Sequence, residues 1–97
     1  MDKPKVSVII GIYNVADTLG EALDSVFAQT YQNCEVILCD DGSTDNTMEI
    51  ARAYQKKEPE RVVLLSNGRN KGLNYTLNHC LKHVRGEYVA RMDGDDL

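Results

Sequence analysis

The sequence has no cluster of lysine and arginine residues, although charged side chains occur throughout it. Its 97 residues include 15 acidic and 11 basic side chains, and the formal net charge is −4. Proteins that bind nucleic acid usually carry a basic patch or stripe, so we expect no nucleic-acid partner. The acidic residues gather where predicted strands end, which indicates a local need for cations.

The sequence also lacks paired cysteines and any long apolar segment. Cys34, Cys39 and Cys80 are odd in number and have no metal-ligand spacing, so we expect reduced thiols in a cytoplasmic setting. No apolar run approaches the roughly 20 residues of a membrane-spanning helix, and the first residues lack the apolar core of a signal peptide. We therefore expect no membrane segment in this stretch.

Two glycine-rich phosphate-binding motifs are absent as well. Neither GxGxxG nor GxxxxGK[ST] occurs, although both are common ways for a strand–helix turn to hold phosphates. If a diphosphate binds, a metal held by Asp95 with help from Asp93 has to neutralise it. Lys71 or Arg69 would then lie nearby. The sequence thus predicts a metal-dependent nucleotide site without a glycine cradle.

What the sequence does contain is an alternation of strand-like and helix-like segments. Apolar, β-branched runs predict buried strands at 6–12, 35–39, 62–65 and 87–92. Amphipathic segments between them predict helices that begin near Asp17, Asp45 and Leu73. Pro59 should end the second helix, and Gly86 should cap the third. This order is typical of an α/β protein with a mainly parallel sheet.

The handedness of parallel crossovers predicts how the helices cover this sheet. With strand order 3-2-1-4, the first two helices lie on one face and the third lies on the other. We expect the third helix to bury a stripe formed by Leu73, Leu77 and Leu81. Its face of the sheet would be thinly covered and the fourth strand would be a bare edge, so we expect the isolated segment to self-associate.

Polar side chains follow the end of each predicted strand. Tyr13 follows the first strand, Asp41 the second, the 67–72 loop the third and the acidic 93–96 segment the fourth. Ligands bind beyond the carboxyl ends of such strands, so one crevice could hold all four. Tyr13 can stack on a flat base, and Asp41 can accept hydrogen bonds from a base or ribose. A half-buried loop aromatic and a helix cap are the structural alternatives.

The acidic residues after the fourth strand predict a metal site. Asp93, Asp95 and Asp96 would repel one another unless a cation lay between them, and an oxygen-preferring divalent ion is the usual solution. An Asp-Gly turn is the structural alternative. His79 and His83 have a spacing that zinc enzymes use, but the glutamate of HExxH is missing, so we interpret both as solvent-facing.

Together these motifs resemble the amino-terminal half of the family 2 glycosyltransferases of the GT-A fold. The stretches that carry the resemblance are 6–14, 25–31, 40–45, 70–72 and 86–96. The resemblance implies a Rossmann-like α/β half-domain with four mainly parallel strands and three helices. Residues 1–97 would end just after its DxD motif, which is Asp93-Gly94-Asp95 here. It also implies inverting transfer from a nucleotide-diphospho-sugar, usually a UDP-sugar, to the hydroxyl of a glycan or lipid-linked acceptor.

Carried over residue by residue, the resemblance implies a nucleoside site at the ends of the first two strands. Tyr13 and Asp41 would hold the nucleoside itself. Gly11, Asn14 and Lys71 would belong to the same nucleotide-binding surface, to which Asp93 also contributes. Gly11 departs from the family, which commonly has proline or a small polar residue there, and this glycine could loosen the loop that carries Tyr13.

The same resemblance assigns the metal to the acidic cluster. Asp95 would bind Mg²⁺ or Mn²⁺, Asp93 would contact the ribose or the metal indirectly, and Asp96 would support the site. The metal would stabilise the leaving diphosphate. The family's general base lies well downstream, so we expect it beyond Leu97 and expect the segment alone to be inactive. Many relatives act at the cytoplasmic face of a membrane, which is the setting we expect for the full-length protein.

Two other classes fit part of the pattern. A phosphatase of the haloacid dehalogenase type carries DxDx[TV] after its first strand, whereas the 93–97 stretch follows the fourth and ends in leucine. A receiver-like signalling module would use Asp40 and Asp41 to hold Mg²⁺, but such modules carry the acidic pair after the first strand. Both classes stay open as alternatives at this point.

Overall fold

The structure, a computed structural model, describes residues 4–29 and 33–93, and within these ranges four strands alternate with three helices. The strands are β1 (Val6–Ile12), β2 (Cys34–Asp40), β3 (Val62–Ser66) and β4 (Tyr88–Asp93). The helices are α1 (Ala16–Gln29), α2 (Thr47–Lys57) and α3 (Leu73–Leu81). The predicted α/β order is confirmed, and each strand boundary lies within one residue of the predicted one.

The strands form one parallel sheet, as predicted, and their order is β3-β2-β1-β4, the order on which the expected helix packing was based. β1 lies between β2 and β4, and its last residues set the register at the functional edge. Gly11 pairs with Asp93 of β4, and Ile12 pairs with Asp40 of β2. The carboxyl ends of these three strands therefore lie side by side, which brings the segments that follow them together.

Alternate residues of the strands feed two separate cores, one on each face of the sheet. The α1–α2 face contains Val8, Ile10, Ile12, Leu19, Leu23, Val26, Val36, Leu38, Ala51 and Val62. The α3 face contains the smaller cluster Ile9, Ile37, Cys39 and Cys80. This division confirms that the first two helices cover one face and the third covers the other, because successive strand residues point to opposite sides.

α3 presents a different face to the sheet from the one predicted. Thr76 and Cys80 are its buried residues, whereas Leu73 and Leu81 are 50% and 48% exposed. The predicted leucine stripe is therefore wrong for Leu73 and Leu81, whereas Leu77 packs against the buried cluster on this face. The helix lies so close to β1 that a Cβ on Gly11 would be 3.1 Å from Cγ2 of Thr76. Small side chains fit this approach, and Thr76 and Cys80 take the buried positions of the helix in place of Leu73 and Leu81.

Gly86 does not cap α3, so that prediction is also wrong. The helix ends at Leu81 and its C-cap is Lys82. Gly86 instead lies against β1, where its N–H donates to Oγ of Ser7 (2.9 Å). A Cβ at this position would be 2.7 Å from the backbone nitrogen of Ser7. The glycine allows the chain to approach β1 closely just before β4 begins.

β4 is an exposed edge strand, as predicted. Among the described residues it pairs with β1 alone, and Tyr88 and Val89 are 61% and 48% exposed. An edge of this kind can pair with another chain, but self-association stays a prediction. In the described ranges, no helix combines the length and apolar character needed to span a membrane.

A buried carboxylate at the amino ends of the strands has no counterpart in the sequence predictions. Glu35 is fully buried in β2 and accepts hydrogen bonds from Oγ of Ser7 (2.5 Å) and the backbone nitrogen of Arg85 (2.9 Å). Nε of Arg85 also lies 3.1 Å from its Oε1. These contacts fasten the segment before β4 to β1 and β2, because a buried charge requires partners.

We predict that Arg85→Met lowers the free energy of unfolding by about 1–3 kcal/mol, since Glu35 then loses its charged partner while it remains buried. Urea denaturation measures this change. Arg52→Met, which removes the same charge from an exposed position on α2, is the matched control and should change stability by less than about 0.5 kcal/mol. Equal losses in the two variants would contradict the role given to Arg85.

Candidate functional site

A pocket of about 240 Å³ opens at the carboxyl ends of β1 and β2. Its walls come from the loops that follow the first three strands and from the first turn of α3. The lining residues are Gly11, Ile12, Tyr13, Asp41, Asn70, Gly72, Leu73 and Thr76. Three of the predicted nucleotide-binding residues therefore meet in one place. The volume lies below the ~300–1,000 Å³ of typical small-molecule sites, so the pocket suits part of a ligand, such as a base.

Asp41 supplies the charge at the base of this pocket, although only 6% of the residue is exposed. Its Oδ1 accepts hydrogen bonds from Nδ2 of Asn67 (2.8 Å) and the backbone nitrogen of Lys71 (2.7 Å). Its Oδ2 accepts one from the backbone nitrogen of Gly72 (3.0 Å). The carboxylate therefore holds the 67–72 loop against the end of β2.

These hydrogen bonds keep Asp41 ionised. Burial alone raises the pKa of this carboxyl, because the charged form loses its water. The bonds from the side chain of Asn67 and from the backbone N–H groups of Lys71 and Gly72 outweigh burial, so the pKa of Asp41 lies below its ordinary value of 3.8. The pocket consequently has an anionic hydrogen-bond acceptor at neutral pH.

Asp40 and Asp41 are adjacent in sequence but bind different segments. Oδ2 of Asp40 accepts hydrogen bonds from the backbone nitrogens of Gly42 (3.2 Å) and Ser43 (3.1 Å). Asp41 turns instead to the loop after β3. The two carboxylates therefore do not form the shared cation pocket that a receiver-like module would need. Asp41 does not cap α2 either, since the N-cap residue is Asn46 and the first helical N–H, that of Thr47, donates to Asp45.

The turn after β2 packs directly on the loop after β3. Gly42 has a left-handed φ of +82°, and a Cβ on it would lie 2.7 Å from the backbone carbon of Arg69 and the nitrogen of Asn70. A side chain is therefore excluded both by the backbone conformation and by the contact. The 40–43 segment after β2 and the 67–72 loop are thus in direct contact beside the pocket.

Asn14 fastens the loop that carries Tyr13 to the loop after β2. Its φ of +51° lies in the left-handed region, which asparagine tolerates. Its Oδ1 accepts a hydrogen bond from the backbone nitrogen of Thr44 (2.7 Å), and the backbone nitrogen of Asn14 donates to Oγ of Ser43 (3.0 Å). Asn14 does not line the pocket, whereas Tyr13 does and is 45% exposed. Asn14 therefore positions the loop.

The first turn of α1 is capped by residues from the loop after β2 and the start of α2. The backbone nitrogen of Val15 donates to Oγ1 of Thr47 (2.9 Å), and that of Ala16 donates to Oδ2 of Asp45 (3.2 Å). Oδ1 of Asp45 also accepts the N–H of Thr47 (3.0 Å). One aspartate therefore serves the starts of both α1 and α2.

The remaining predicted residues lie outside the pocket lining or outside the described ranges. The backbone of Lys71 binds Asp41, while its Nζ lies 4.7 Å from the centre of the Tyr75 ring. Asp93 is the last residue of β4, beside Gly11 of β1. Asp95 and Asp96 fall outside the described residues, so the metal cluster stays a prediction. Residues 4–29 and 33–93 contain no group of three or more His, Cys, Asp or Glu that could hold a metal.

Sequence reasoning missed the two side chains behind Asp41. Asn67 donates to Asp41, and Nδ1 of His79 lies 2.8 Å from Oδ1 of Asn67. The prediction of a solvent-facing pair is therefore wrong for His79, which is half-buried, and confirmed for His83, which is exposed. The only available signal was the polar composition of the 67–72 loop, since nothing in the sequence relates positions 41, 67 and 79.

Comparisons of the sequence with known proteins converge on one family. The model of glycosyl transferase family 2 matches residues 7–97. EpsE of Bacillus subtilis (strain 168), which carries a provisional glycosyltransferase name, is 54% identical over 94 residues, covering 97% of this chain and 34% of EpsE. The Escherichia coli protein WfaP, named a UDP-Glc:alpha-D-GlcNAc-diphosphoundecaprenol beta-1,3-glucosyltransferase, is 41% identical over 91 residues, covering 94% and 35%. The chain thus spans about a third of these relatives.

Solved structures give the same result. A mannosyltransferase from Pyrobaculum calidifontis, in complex with GDP-Man and Mn²⁺, matches with a TM-score of 0.88 and 34% identity over 98% of this chain and 28% of that one. S. aureus TarS 1-349, in complex with UDP-GlcNAc, matches with a TM-score of 0.85 and 33% identity over 94% and 26%. The sheet order and loop arrangement described above are therefore those of a nucleotide-sugar-binding fold.

We predict that Asp41→Asn makes the stability of the protein depend less on pH under acidic conditions. The unfolded chain holds Asp41 at its ordinary pKa of 3.8 and the folded chain holds it lower. The unfolded state therefore binds more protons in this window, and wild-type stability falls as the pH drops below about 4. Thermal unfolding between pH 2.5 and 7 measures this. Asp17→Asn, at an exposed position on α1, should retain the wild-type slope, and an Asp41→Asn profile parallel to wild type would contradict the prediction.

Proposed function

Because the chain belongs to glycosyl transferase family 2, we propose that it forms the donor-binding part of an enzyme that transfers a sugar from a nucleoside diphosphate to a glycan or lipid-linked hydroxyl. The observation that carries this proposal is a single pocket lined by both the buried carboxylate of Asp41 and the half-exposed ring of Tyr13. This combination can accept a hydrogen bond from a base and also cover its flat face. Family membership favours sugar transfer over the phosphatase-like and receiver-like alternatives.

Uracil is the base that we propose for this pocket. A carboxylate offers about four acceptor positions, two on each oxygen. Both positions on Oδ1 of Asp41 are occupied by Asn67 and Lys71, and Gly72 occupies one on Oδ2. At most one acceptor position is left. Uracil has a single N3–H donor, whereas guanine presents two adjacent N–H donors that would need both oxygens.

The apolar side of the pocket also fits a flat base. Tyr13 and Leu73 both line it, and they are 45% and 50% exposed. Gly11 adds no side chain between them and β1. Stacking of a base on an aromatic ring contributes about 1–3 kcal/mol, so Tyr13 supplies affinity while Asp41 supplies selection. The relatives named or solved with UDP-sugars support this reading, and GDP, which accompanies the mannosyltransferase, is the competing outcome.

The carboxylates after β4 suit a hard divalent cation. Asp93, Asp95 and Asp96 would offer only oxygen ligands, which Mg²⁺ and Mn²⁺ prefer, and Asp93 lies beside Gly11 at the pocket edge of the sheet. When bound, the cation would neutralise charge on the diphosphate as it leaves. We propose inverting transfer, in which the acceptor hydroxyl attacks the anomeric carbon as its bond to the diphosphate breaks, with the hydroxyl proton passing to a carboxylate base.

We propose two further properties, the cellular location of the protein and its self-association. A location in the cytoplasm, at the face of a membrane for the full-length protein, follows from the reduced state expected for the three thiols and from the resemblance. The three cysteines are free and buried in the structure. Self-association through the exposed edge of β4 is the second.

We predict that the full-length protein binds UDP in calorimetric titration and that Mn²⁺ strengthens this binding at least about tenfold, since the cation offsets diphosphate charge. Asp95→Asn should abolish most of the Mn²⁺ effect and leave the metal-free affinity unchanged. GDP should bind more weakly than UDP under both conditions. Tighter binding of GDP would contradict the proposed base, and an unchanged Mn²⁺ effect in Asp95→Asn would contradict the proposed ligand.

A further inference from the structure

We infer that His79 is a positioning residue for base recognition, acting on Asp41 through the side-chain amide of Asn67. The inference rests on the proposed function, because it concerns how the same pocket selects a base. Neither His79 nor Asn67 lines the pocket. Three side chains from the end of β2, the loop after β3 and the middle of α3 form one hydrogen-bonded line that ends at the base acceptor.

The side chain of Asn67 can lie in only one of its two amide orientations. Its Nδ2 is 2.8 Å from Oδ1 of Asp41 and 2.9 Å from Oγ1 of Thr76. An ionised carboxylate only accepts hydrogen bonds, and the hydroxyl of Thr76 donates its proton to the carbonyl oxygen of Gly72 (2.8 Å). Both neighbours therefore require a donor, so the amide nitrogen of Asn67 faces them and its oxygen faces the opposite way.

Two hydrogen-bond donors, from His79 and Cys39, lie on the oxygen side of the Asn67 amide. Nδ1 of His79 lies 2.8 Å from Oδ1 of Asn67, and Sγ of Cys39 lies 3.3 Å from the same oxygen. Because this oxygen can only accept, Nδ1 of His79 carries a proton. The thiol of Cys80 beside it, burial and nearby carboxylates raise the pKa of Cys39, so its thiol is also a donor. All four hydrogen-bonding positions of the amide are filled.

His79 holds the amide of Asn67 more firmly than the thiol of Cys39 does. A thiol is a weak donor, whereas an imidazole N–H at 2.8 Å forms an ordinary strong hydrogen bond. Without His79, the amide of Asn67 can rotate and place its oxygen beside the carboxylate of Asp41, where two acceptors repel. Asp41 would then lose one of the contacts that fix its orientation, and the free acceptor position on Oδ2 would no longer be held toward the pocket.

The hydrogen-bonded line can be tested without any nucleotide. In the full-length protein, nitrogen NMR of the histidine rings at pH 8 should show the proton of His79 on Nδ1, and Asn67→Leu should release this tautomer. His83 is the internal control, because its Nδ1 lies 3.2 Å from the carbonyl oxygen of His79 and does not depend on Asn67. A wild-type His79 with its proton on Nε2 would overturn the inference.

The positioning role is tested by the ratio of UDP to CDP affinity. Uracil N3 carries a proton for Asp41, whereas cytosine N3 is an acceptor, so the wild type should prefer UDP by roughly tenfold. His79→Leu should bring this ratio close to one. His79→Asn, whose Nδ2 occupies the place of the imidazole Nδ1, should retain most of it, and His83→Leu should leave it unchanged.

A merely structural role of His79 would weaken UDP and CDP equally, so a wild-type ratio in His79→Leu overturns the positioning role while leaving uracil recognition intact. A wild-type protein that does not distinguish UDP from CDP contradicts uracil recognition itself, and the positioning role is then lost with it. The two failures are therefore distinguishable from the same set of titrations.

Discussion

The buried charge of Asp41 is the constraint on which the rest of the site depends. A carboxylate at the end of a central strand is costly unless hydrogen bonds replace its water. This chain supplies them from a single segment, the 67–72 loop, through one side chain and two backbone N–H groups. The charge therefore shapes the loop, and the loop forms one wall of the pocket. One interaction thus serves both the fold and the proposed recognition of the donor.

The other loops of the site are also held by hydrogen bonds between segments that are distant in sequence. Asn14 binds the loop after β2, and Asp45 caps the first turn of α1 across an equally long separation in sequence. Each loop is thus supported by its neighbour more than by its own residues. A rigid edge of this kind can present Tyr13 and Asp41 at a fixed separation, which preorganises a site for a flat base.

The sequence patterns predicted the sheet well because they report local and repetitive physics. Runs of β-branched residues mark buried parallel strands, and the handedness of crossovers then leaves few topologies. The predictions that were wrong depend on close approach between segments. The inner face of α3 is set by how near it lies to Gly11 rather than by its leucines. Gly86 resembles a helix cap in sequence, but it is needed where the chain passes Ser7.

The residues of the candidate site also differ in whether the sequence could predict their positions. Tyr13 and Asp41 could be placed together because both follow strand ends, and strand ends converge by topology. Asn67 and His79 could not, since their connection to Asp41 spans 26 residues and then a further 12 and has no periodic signature. Glu35 is a second example: its partners lie 28 and 50 residues away, so a charged residue inside an apolar strand gave no indication of its ion pair.

Proton NMR of UDP labelled with ¹⁵N at N3 tests whether Asp41 accepts the N3 proton of uracil. In complex with the full-length protein, the imino proton should become visible and exchange slowly with water, because a buried carboxylate holds it. It should vanish in Asp41→Ala even at saturating UDP. An imino proton that exchanges as fast in the wild-type complex as in free UDP would show that Asp41 does not accept it.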